Sequence, residues 1–363
     1  MIHVLDALTG TGPGLWGKER LVSHLMIAQR DSGEVEPALA TLSPCSLADI
    51  MSEHGFDVYV LEPEHRRLPW QGTTKLRRIL AGSSRPAVVH SHEYKANVVS
   101  RMLRRSGARM HRLVSTSHAW FDETLALSAY NSLDRQTAFM SDVTTVADRN
   151  MIGRFPPRGR LEYVANGLPD YRPPGAEIRS ATRARLGIPN DLIAVGFLAR
   201  TNVFKGIPEV LEAARRSMDL PIVWVIGGTG ELDAQIRNAA LANVRYVGYV
   251  EDSEAYRSGI DVYLQASRIE GLSLSLLEAM RAGLPIVATD AGSTSLAVTN
   301  GVEALVVPPG DVDQLLGAVK TVAGDRELAV RLGHSARLRF ERDFRIDRQH
   351  RDFLNLYRCG LRS

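Results

Sequence analysis

The sequence predicts an α/β protein with two doubly wound domains, each built on a parallel β-sheet. Short runs rich in β-branched residues alternate along the chain with amphipathic stretches of helical length, and this alternation is typical of βαβ units. The runs fall into two series, separated at 166–175 by a segment rich in proline and glycine that suits a linker. The length of 363 residues also favours two domains, because a single hydrophobic core rarely grows beyond about 250–300 residues.

The candidate strands and helices follow in chain order. The first series of strands is predicted at 2–5, 38–42, 57–61, 87–90, 112–115 and 143–146. The second series is predicted at 193–198, 222–226, 244–247, 262–264, 286–288 and 304–307. Helices are predicted between them, for example at 208–217 and 273–282. A last helix is predicted from about 345 to 358, with Ile346, Phe353, Leu354 and Tyr357 as its apolar positions.

These elements set the expected domain limits. We expect a first domain over 1–170, a second over 171–344, and a C-terminal helix in 345–363 that packs back on the first domain. Doubly wound sheets bind ligands at the carboxyl ends of their strands. The sequence therefore predicts a site in a cleft that the two domains share.

The composition is that of a water-soluble globular protein. Hydrophobic residues make up 44% and charged residues 23% of the chain, and no apolar run approaches the roughly 20 residues that span a bilayer. The first residues lack a basic segment followed by an apolar stretch, so no secretory signal is expected. Cys45 and Cys359 lie far apart and form neither a disulfide framework nor a metal-binding pair. We expect a cytoplasmic protein.

Positive charge is concentrated in residues 66–112. This region holds twelve Lys or Arg residues and one acidic residue, Glu93, although the whole chain carries a net charge of only +3. The region can be a solvated basic face, or it can contact an anionic lipid surface or a charged acceptor. Nucleic acid is not expected as a partner, because no nucleic-acid-binding motif accompanies the charge.

A glycine-rich turn, Gly10-Thr-Gly-Pro-Gly-Leu-Trp-Gly17, joins the first strand to the first helix. Its glycines match the dinucleotide fingerprint, and with Lys18 they match most of a P-loop. Glu19 stands where a P-loop needs Ser or Thr, and the second strand does not end in the acid that would hold a ribose. What remains is either a tight turn or a helix N-terminus whose backbone N–H groups, at Gly14 and Gly17, approach an anion.

The second half carries a cationic pair and a helix flanked by acids. Arg200 ends a predicted strand and Lys205 follows it, a placement that suits a diphosphate. Another glycine turn, Ile226-Gly-Gly-Thr-Gly230, follows the next strand.

Two glutamates mark the helix that is predicted after Ser273, its expected N-cap. Glu270 precedes this helix and Glu278 lies within it, about 12 Å apart along a helix axis. That separation exceeds the distances used by the carboxylate pair of a glycosidase, so the two acids suit different parts of one ligand. An ion pair between Glu278 and Arg281 is the structural alternative.

With these residues in view, the segment 195–311 resembles the retaining glycosyltransferases of family 4, which have the two-domain GT-B architecture. The run from Glu270 to Pro285 matches the family's C-terminal signature, in which a Glu is followed after seven residues by Glu-Ala-Met, a Gly and a Pro. Arg200 and Lys205-Gly206 match its upstream cations, and Val306-Val-Pro-Pro-Gly-Asp311 its closing turn.

The first half resembles the family more loosely. Gly17-Lys-Glu-Arg20 stands in place of Gly-Gly-x-Glu-Arg, so that Trp16 replaces one glycine. Val89-His-Ser-His92 follows a strand, and His118 falls where the family often has an active-site histidine. Asn166-Gly167 marks the entry to the linker, and Ala291-Gly-Ser-Thr-Ser295 lacks a glutamate common at its end.

The resemblance implies an acceptor-binding first domain and a nucleotide-sugar-binding second domain. Arg200 and Lys205 would bind the diphosphate, and Glu278 the ribose hydroxyls. Glu270 would hold the transferred sugar and phosphates together with the backbone of Gly271, Leu272 and Ser273. Val250 would lie against the base, Gly230 would line the donor site, and His118 would contact the sugar or the acceptor.

No cofactor or metal is expected. The sequence Asp311-Val-Asp313 contains the only Asp-x-Asp, and with Gln314 it fits a helix capping box better than a metal site. The resulting hypothesis is a retaining glycosyltransferase that uses a UDP- or GDP-sugar and a lipid-linked or polysaccharide precursor, at the inner membrane face or in the cytoplasm. A nucleotide-sugar epimerase of the same fold and a non-catalytic nucleotide-sugar-binding subunit are the alternatives.

Overall fold

The computed structural model describes residues 2–8, 17–62, 70–83, 87–118, 125–171 and 175–359. They form two compact units. Unit 1 consists of Met1–Pro169 together with Arg345–Ser363, and unit 2 consists of Asp170–Phe344. Both units are α/β. Among the helices of the described ranges, none is long and apolar enough to cross a membrane.

The described strands of unit 1 form one seven-stranded sheet, in the order β3-β2-β1-β4-β5-β6-β7, in which every pair is parallel. The strands are β1 (Ile2–Leu8), β2 (Val35–Thr41), β3 (Val58–Val60), β4 (Ala87–His92), β5 (Arg112–Ser117), β6 (Val143–Val146) and β7 (Leu161–Tyr163). The helices are α1 (Gly17–Ser32), α2 (Ser46–Glu53), α3 (Trp70–Gly82), α4 (Tyr94–Arg105) and α5 (Leu125–Thr137), with 3-10 turns at Ala138–Met140 and Arg149–Arg154. The strand β7 is absent from the sequence prediction, because three residues are too few to display a period.

Unit 2 has a six-stranded sheet, again parallel, in the order β10-β9-β8-β11-β12-β13. Its strands are β8 (Ile193–Leu198), β9 (Ile222–Gly227), β10 (Val244–Gly248), β11 (Val262–Gln265), β12 (Ile286–Thr289) and β13 (Leu305–Val307). Its helices are α6 (Ala176–Arg185), α7 (Ile207–Arg215), α8 (Asp233–Asn238), α9 (Ser253–Gly259), α10 (Leu274–Ala282), α11 (Thr294–Ala297), α12 (Val312–Gly324) and α13 (Arg326–Asp343). Because all strands run the same way, the loops that follow β9, β8 and β11 meet at one edge.

Successive side chains of a strand point to opposite faces of the sheet, and in both units apolar side chains are buried on both faces. Val88 of β4 packs against α1 and the C-terminal helix, whereas Val89 packs against α3 and α4 on the other face. In unit 2, Trp224 of β9 is fully buried in the core, and its indole N–H donates to Ser217 Oγ at 3.0 Å, which satisfies the one polar group of the ring.

The last helix, α14 (Ile346–Arg358), belongs to unit 1. All four of its predicted apolar positions are buried. Its Tyr357 is inaccessible to solvent, and the phenolic oxygen lies 3.0 Å from Gln29 Nε2 on α1 and 2.7 Å from His90 Nδ1 on β4. The other ring nitrogen of His90 lies 2.7 Å from Thr116 Oγ1. A chain of polar contacts therefore joins this helix to α1 and to the centre of the sheet.

A buried ion pair connects α4 with α5. Arg101 Nη1 lies 2.8 Å from Asp134 Oδ1, and both side chains are at most 1% exposed. Asp134 also accepts hydrogen bonds from Asn97 and from Ser117, the last residue of β5. Burial lowers the pKa of Arg101, and Asp134 opposes that shift. The pair thus fixes the end of β5 from two helices.

We expect Arg101→Met to lower the free energy of unfolding by about 3–5 kcal/mol, because it leaves the Asp134 carboxylate buried without its cation. The matched control is Arg104→Met on the same helix, whose partner Asp142 lies 2.5 Å away and whose side chain is 29% exposed. That substitution should cost about 1 kcal/mol or less. Urea denaturation of both variants checks the prediction, and equal losses would contradict a special role for the buried pair.

The buried His90 predicts a pH dependence of stability. Burial lowers its pKa well below the usual range, and the neighbouring His92 and His118 lower it further. In the unfolded chain a histidine takes up a proton below about pH 6.5, whereas native His90 stays neutral. The unfolded state then binds more protons, so the free energy of unfolding falls as the pH drops below about 6.5.

The variant His90→Gln replaces the imidazole with an amide, which can form hydrogen bonds with Tyr357 and Thr116 but does not take up a proton. We expect its unfolding free energy to fall less between pH 7.5 and 5.5 than that of the unmodified protein, by about 1 kcal/mol. Removal of the solvent-exposed His54, as His54→Gln, is the control and should preserve the original dependence. An unchanged slope in His90→Gln, measured by urea denaturation at both pH values, would contradict this interpretation.

Candidate functional site

The loop that follows β8 carries the two cations predicted from the sequence. Arg200 comes two residues after the strand and is exposed, and Lys205 lies just before α7. The backbone N–H of Lys205 donates to Asn202 Oδ1 at 2.9 Å, which holds the loop in a turn. The adjacent Thr201 accepts from Leu232 N and donates through its own N–H to Thr229 O, so this loop is tied to the one that follows β9.

Gly206, the N-cap of α7, permits a close approach between two loops. Its φ of 81° lies in the left-handed region, and a Cβ at this position would overlap the carbonyl oxygen of Ala266, at the end of β11. The N–H of Arg268 also donates to Phe204 O at 2.8 Å. Lys205 is therefore held beside the loop that carries Glu270.

Lys205 and Glu270 form an ion pair between the lysine ammonium and Glu270 Oε2. The Glu270 side chain is 8% exposed and that of Lys205 is 22% exposed, so the pair is partly buried. The structure thus joins two residues that are 65 positions apart in the sequence. From the other side, Gly292 allows the loop after β12 to contact the backbone of Glu270, where any Cβ would overlap its carbonyl oxygen.

The helix α10 starts directly after this acid. Ser273 is its N-cap, as predicted, and its hydroxyl accepts from Leu276 N at 3.4 Å. Gly283 ends the helix with a φ of 70°, the left-handed conformation that glycine often adopts at a helix C-terminus. The N-terminus of α10, with the backbone of Gly271 and the buried Leu272 before it, therefore lies next to the Lys205–Glu270 pair and can donate N–H groups to an anion.

Glu278 is buried within α10 and forms its ion pair with Arg257 of α9, not with the Arg281 that the sequence alternative offered. Arg281 pairs instead with Glu254 of α9, at 2.8 Å. Sequence reasoning missed Arg257, because the two helices become neighbours only through the fold.

A second missed pair lies beside the cations. Arg268, two residues before Glu270, places its Nε 2.6 Å from Oε1 of the buried Glu209 on α7. The signal available in the sequence was the position of Arg268 in the segment that follows the strand predicted at 262–264.

The remaining predicted donor residues of unit 2 lie at the ends of β9 and β10. Gly230 is exposed, and its N–H donates to Asp233 Oδ1 at 2.8 Å. Val250 lies against the end of β9, since a Cβ on Gly227 would come within 2.8 Å of Val250 Cγ2. Since β9, β8 and β11 are adjacent in the sheet, these residues share the edge with Arg200, Lys205 and Glu270.

In unit 1, His118 directly follows β5 and stacks on His92 of β4. The two ring centroids are 5.3 Å apart and His92 Nδ1 lies 3.1 Å from His118 Nε2. Burial lowers the pKa of His118 well below its usual range, with smaller contributions from His92 and Lys18, so the ring is neutral at pH 7. A neutral imidazole has one donor and one acceptor nitrogen, and the contact with His92 uses one of them.

Two charged residues near these histidines were missed. Glu93 follows β4 with a φ of 77°, a strained conformation for a residue other than glycine, and burial raises the pKa of its carboxyl group. Lys18 Nζ lies 3.9 Å from Glu93 Oε1. The isolation of Glu93 in a basic region was the one hint in the sequence. Gly17 is exposed at the start of α1, and Gly14 lies outside the described residues.

Known proteins resemble this chain in sequence and in fold. Residues 178–339 match the family model of glycosyl transferases group 1. An O-antigen chain mannosyltransferase C of Escherichia coli is 32% identical over 177 residues, which are 46% of this chain and 47% of that protein. The chain thus spans about half the length of this relative. A GDP-mannose-dependent phosphatidylinositol monomannoside mannosyltransferase of Mycobacterium tuberculosis is 25% identical over 72% of this chain and 73% of its own.

Solved structures share the fold at lower identity. Anabaena HepE, crystallised with UDP, superposes with a TM-score of 0.80 at 18% identity and covers 97% of this chain and 98% of its own. Sucrose-phosphate synthase of Thermosynechococcus elongatus superposes with a TM-score of 0.81 at 19% identity, over 98% of each chain. Residues 178–339, which make up most of unit 2, are thus similar to the glycosyl transferases group 1 family, and the chain shares the GT-B fold of these solved structures.

Proposed function

We propose that this protein is a glycosyltransferase, which moves a sugar from a nucleotide-sugar to a hydroxyl acceptor with retention of configuration at the anomeric carbon. The observation that carries the proposal is the Lys205–Glu270 ion pair beside the N-terminus of α10, at the edge of unit 2 that also carries Arg200. A diphosphate carries about two negative charges at neutral pH, and an arginine fork with a lysine point charge suits it.

In this proposal Arg200 and Lys205 bind the diphosphate. Lys205 is paired with Glu270, so an arriving phosphate shares the lysine with this carboxylate or takes its place. The ion pair orders the lysine side chain, which reduces the ordering that donor binding requires. As the leaving diphosphate gains charge, these cations and the N–H groups of α10 stabilise it electrostatically.

The other contacts are assigned by position. Glu270, with the backbone of Gly271 to Ser273, holds the transferred sugar and the phosphates, and Glu278 holds the ribose hydroxyls. Val250 lies against the base, with Gly230 nearby. The contributions proposed for unit 1 come from His118, which contacts the sugar or the acceptor, and from the turn that contains Gly14 and Gly17.

The relatives favour a particular donor and acceptor class. Two of them are named mannosyltransferases, one of them GDP-mannose-dependent, which makes GDP-mannose the first donor to test, ahead of UDP-sugars. Their names also refer to an O-antigen chain and to a phosphatidylinositol mannoside, so we propose a lipid-linked or polysaccharide precursor as acceptor. The basic residues of 66–112, except Arg101, which is buried against Asp134, would then meet anionic lipid at the inner face of the membrane, where the protein would bind peripherally from the cytoplasm.

An epimerase of the same fold is not favoured, because the relatives that support the assignment are named as transferases and synthases. A non-catalytic binding subunit is disfavoured by the complete set of Arg200, Lys205, Glu270 and Glu278. An epimerase would consume the nucleotide-sugar without an acceptor, so dependence of turnover on acceptor distinguishes the two activities.

Fixed cations are proposed to take the place of a metal ion. The only Asp-x-Asp of the sequence has other partners, since Asp311 caps α12 through Gln314 N at 2.9 Å and Asp313 pairs with Arg216 at 2.8 Å. Retention is proposed without a covalent intermediate.

We expect Lys205→Ala and Arg200→Ala each to weaken GDP or UDP binding by about 2–5 kcal/mol, since each removes a cation from a desolvated diphosphate. Isothermal titration calorimetry measures the loss. Lys205→Ala also leaves the Glu270 carboxylate without its cation, so that it repels the diphosphate. The double variant Lys205→Ala/Glu270→Gln removes this repulsion and therefore measures the lost lysine contact by itself. Lys320→Ala, on the exposed face of α12, is the control. Unchanged affinity in both single variants would remove the basis of the proposal.

We expect turnover to survive excess EDTA after dialysis, with no gain on adding Mg²⁺ or Mn²⁺, because the leaving group is neutralised by side chains. Release of nucleoside diphosphate in the presence of acceptor is the measurement. A loss of activity that Mn²⁺ restores would refute the leaving-group mechanism and would require new ligands to be sought.

A further inference from the structure

Two charge pairs connect α9 with α10, and they differ in burial. The first joins Arg257 to Glu278 Oε2, and the residues are 3% and 7% exposed. The second joins Arg281 to Glu254 at 2.8 Å, and there the carboxylate side chain is 44% exposed. Only the first pair therefore places a carboxylate and its cation together in the interior.

The guanidinium of Arg257 is held by its own helix. Its Nη1 donates to the carbonyl oxygen of Ser253, one turn earlier on α9, while Nη2 faces Glu278. A planar guanidinium fixed in this way defines the direction of the carboxylate opposite to it. A carboxylate has about four lone-pair positions, so pairing at Oε2 leaves capacity for hydroxyl donors on the same group.

The position of Glu278 along α10 suits a ribose. Glu278 lies five residues after the N-cap Ser273, or about 7.5 Å along the helix axis from the proposed phosphate site. In a nucleoside diphosphate the ribose follows the phosphates, so a carboxylate at this depth is placed for its hydroxyls.

We infer that Arg257 is a positioning residue for ribose recognition, which acts by orienting the Glu278 carboxylate and keeping it ionised. The inference rests on the proposed function, in which Glu278 accepts hydrogen bonds from the ribose. Arg257 does not contact the donor. It determines how strongly the site prefers a ribonucleotide to a deoxyribonucleotide.

The test is the ratio of dissociation constants for a ribonucleotide and its 2′-deoxy or 3′-deoxy counterpart, measured by calorimetry on the full chain. The probes are GDP and deoxy-GDP, or UDP and deoxy-UDP if the protein binds UDP. We expect the unmodified protein to prefer the ribonucleotide by about tenfold or more, the range for hydrogen bonds to a charged group. Glu278→Gln and Arg257→Met should each bring the ratio close to one, and Arg257→Lys should give an intermediate ratio.

The matched control is Arg281→Met, which removes the other arginine between the same two helices and should keep the original ratio. If Arg257→Met does not fold, Arg257→Lys and the uncharged pair Arg257→Met/Glu278→Gln provide the comparison, with melting temperatures recorded for each. A preserved ratio in the Arg257 variants, together with a lost ratio in Glu278→Gln, would overturn the role of Arg257 alone. Loss in Arg281→Met would overturn it in favour of general loosening of the helices.

Failure of the proposed function has a different signature. If Glu278→Gln keeps the original ratio, or if the unmodified protein has no preference, Glu278 does not bind the ribose hydroxyls. The assignment of Glu278 and the role inferred for Arg257 are then both wrong. If neither GDP nor UDP binds the unmodified protein, the assignment of this edge as the donor site is wrong.

Discussion

The candidate donor site depends on the close packing of backbone at the carboxyl edge of the unit 2 sheet. The loops that follow β8 and β12 each approach the segment after β11 so closely that the carbonyl oxygens of Ala266 and Glu270 occupy the space of a Cβ on Gly206 and Gly292. Only glycine fits at such points. Lys205 and Glu270, which flank these contacts, are therefore brought together by the backbone and not by their mutual attraction alone.

The same edge carries ion pairs between carboxylates and neighbouring cations. Three of the acids at or near it have a cation at hand: Lys205 for Glu270, Arg257 for Glu278, and Arg268 for the buried Glu209. A buried carboxylate without a partner would be destabilising, whereas a paired one keeps its charge and its direction. Unit 1 uses the same device at Arg101 and Asp134, where the pair supports the end of β5 immediately before His118.

Much of the fold follows from local sequence, because period and capping residues act within a few positions. The alternation of strand and helix, the caps at Ser273, Gly283 and Asp311, and the apolar face of α14 are all readable in this way. The partner of Glu278, in contrast, cannot be predicted from the local sequence. The helical period offers Arg281, but the packing of α10 on α9 supplies Arg257, and no local pattern encodes that choice. Likewise, no local pattern encodes the positive φ of Glu93.

The edge of unit 2 is proposed to hold the diphosphate of a nucleotide-sugar. A thermal-shift panel of GDP, UDP, ADP, their sugars and the nucleosides without phosphates tests this directly, since a ligand that binds only the native state raises the melting temperature. We expect GDP or UDP, and the matching sugar, to raise the melting temperature by several degrees, and a nucleoside without phosphates to leave it unchanged. A panel in which no diphosphate shifts the melting temperature, or in which the nucleoside alone gives the full shift, would contradict it.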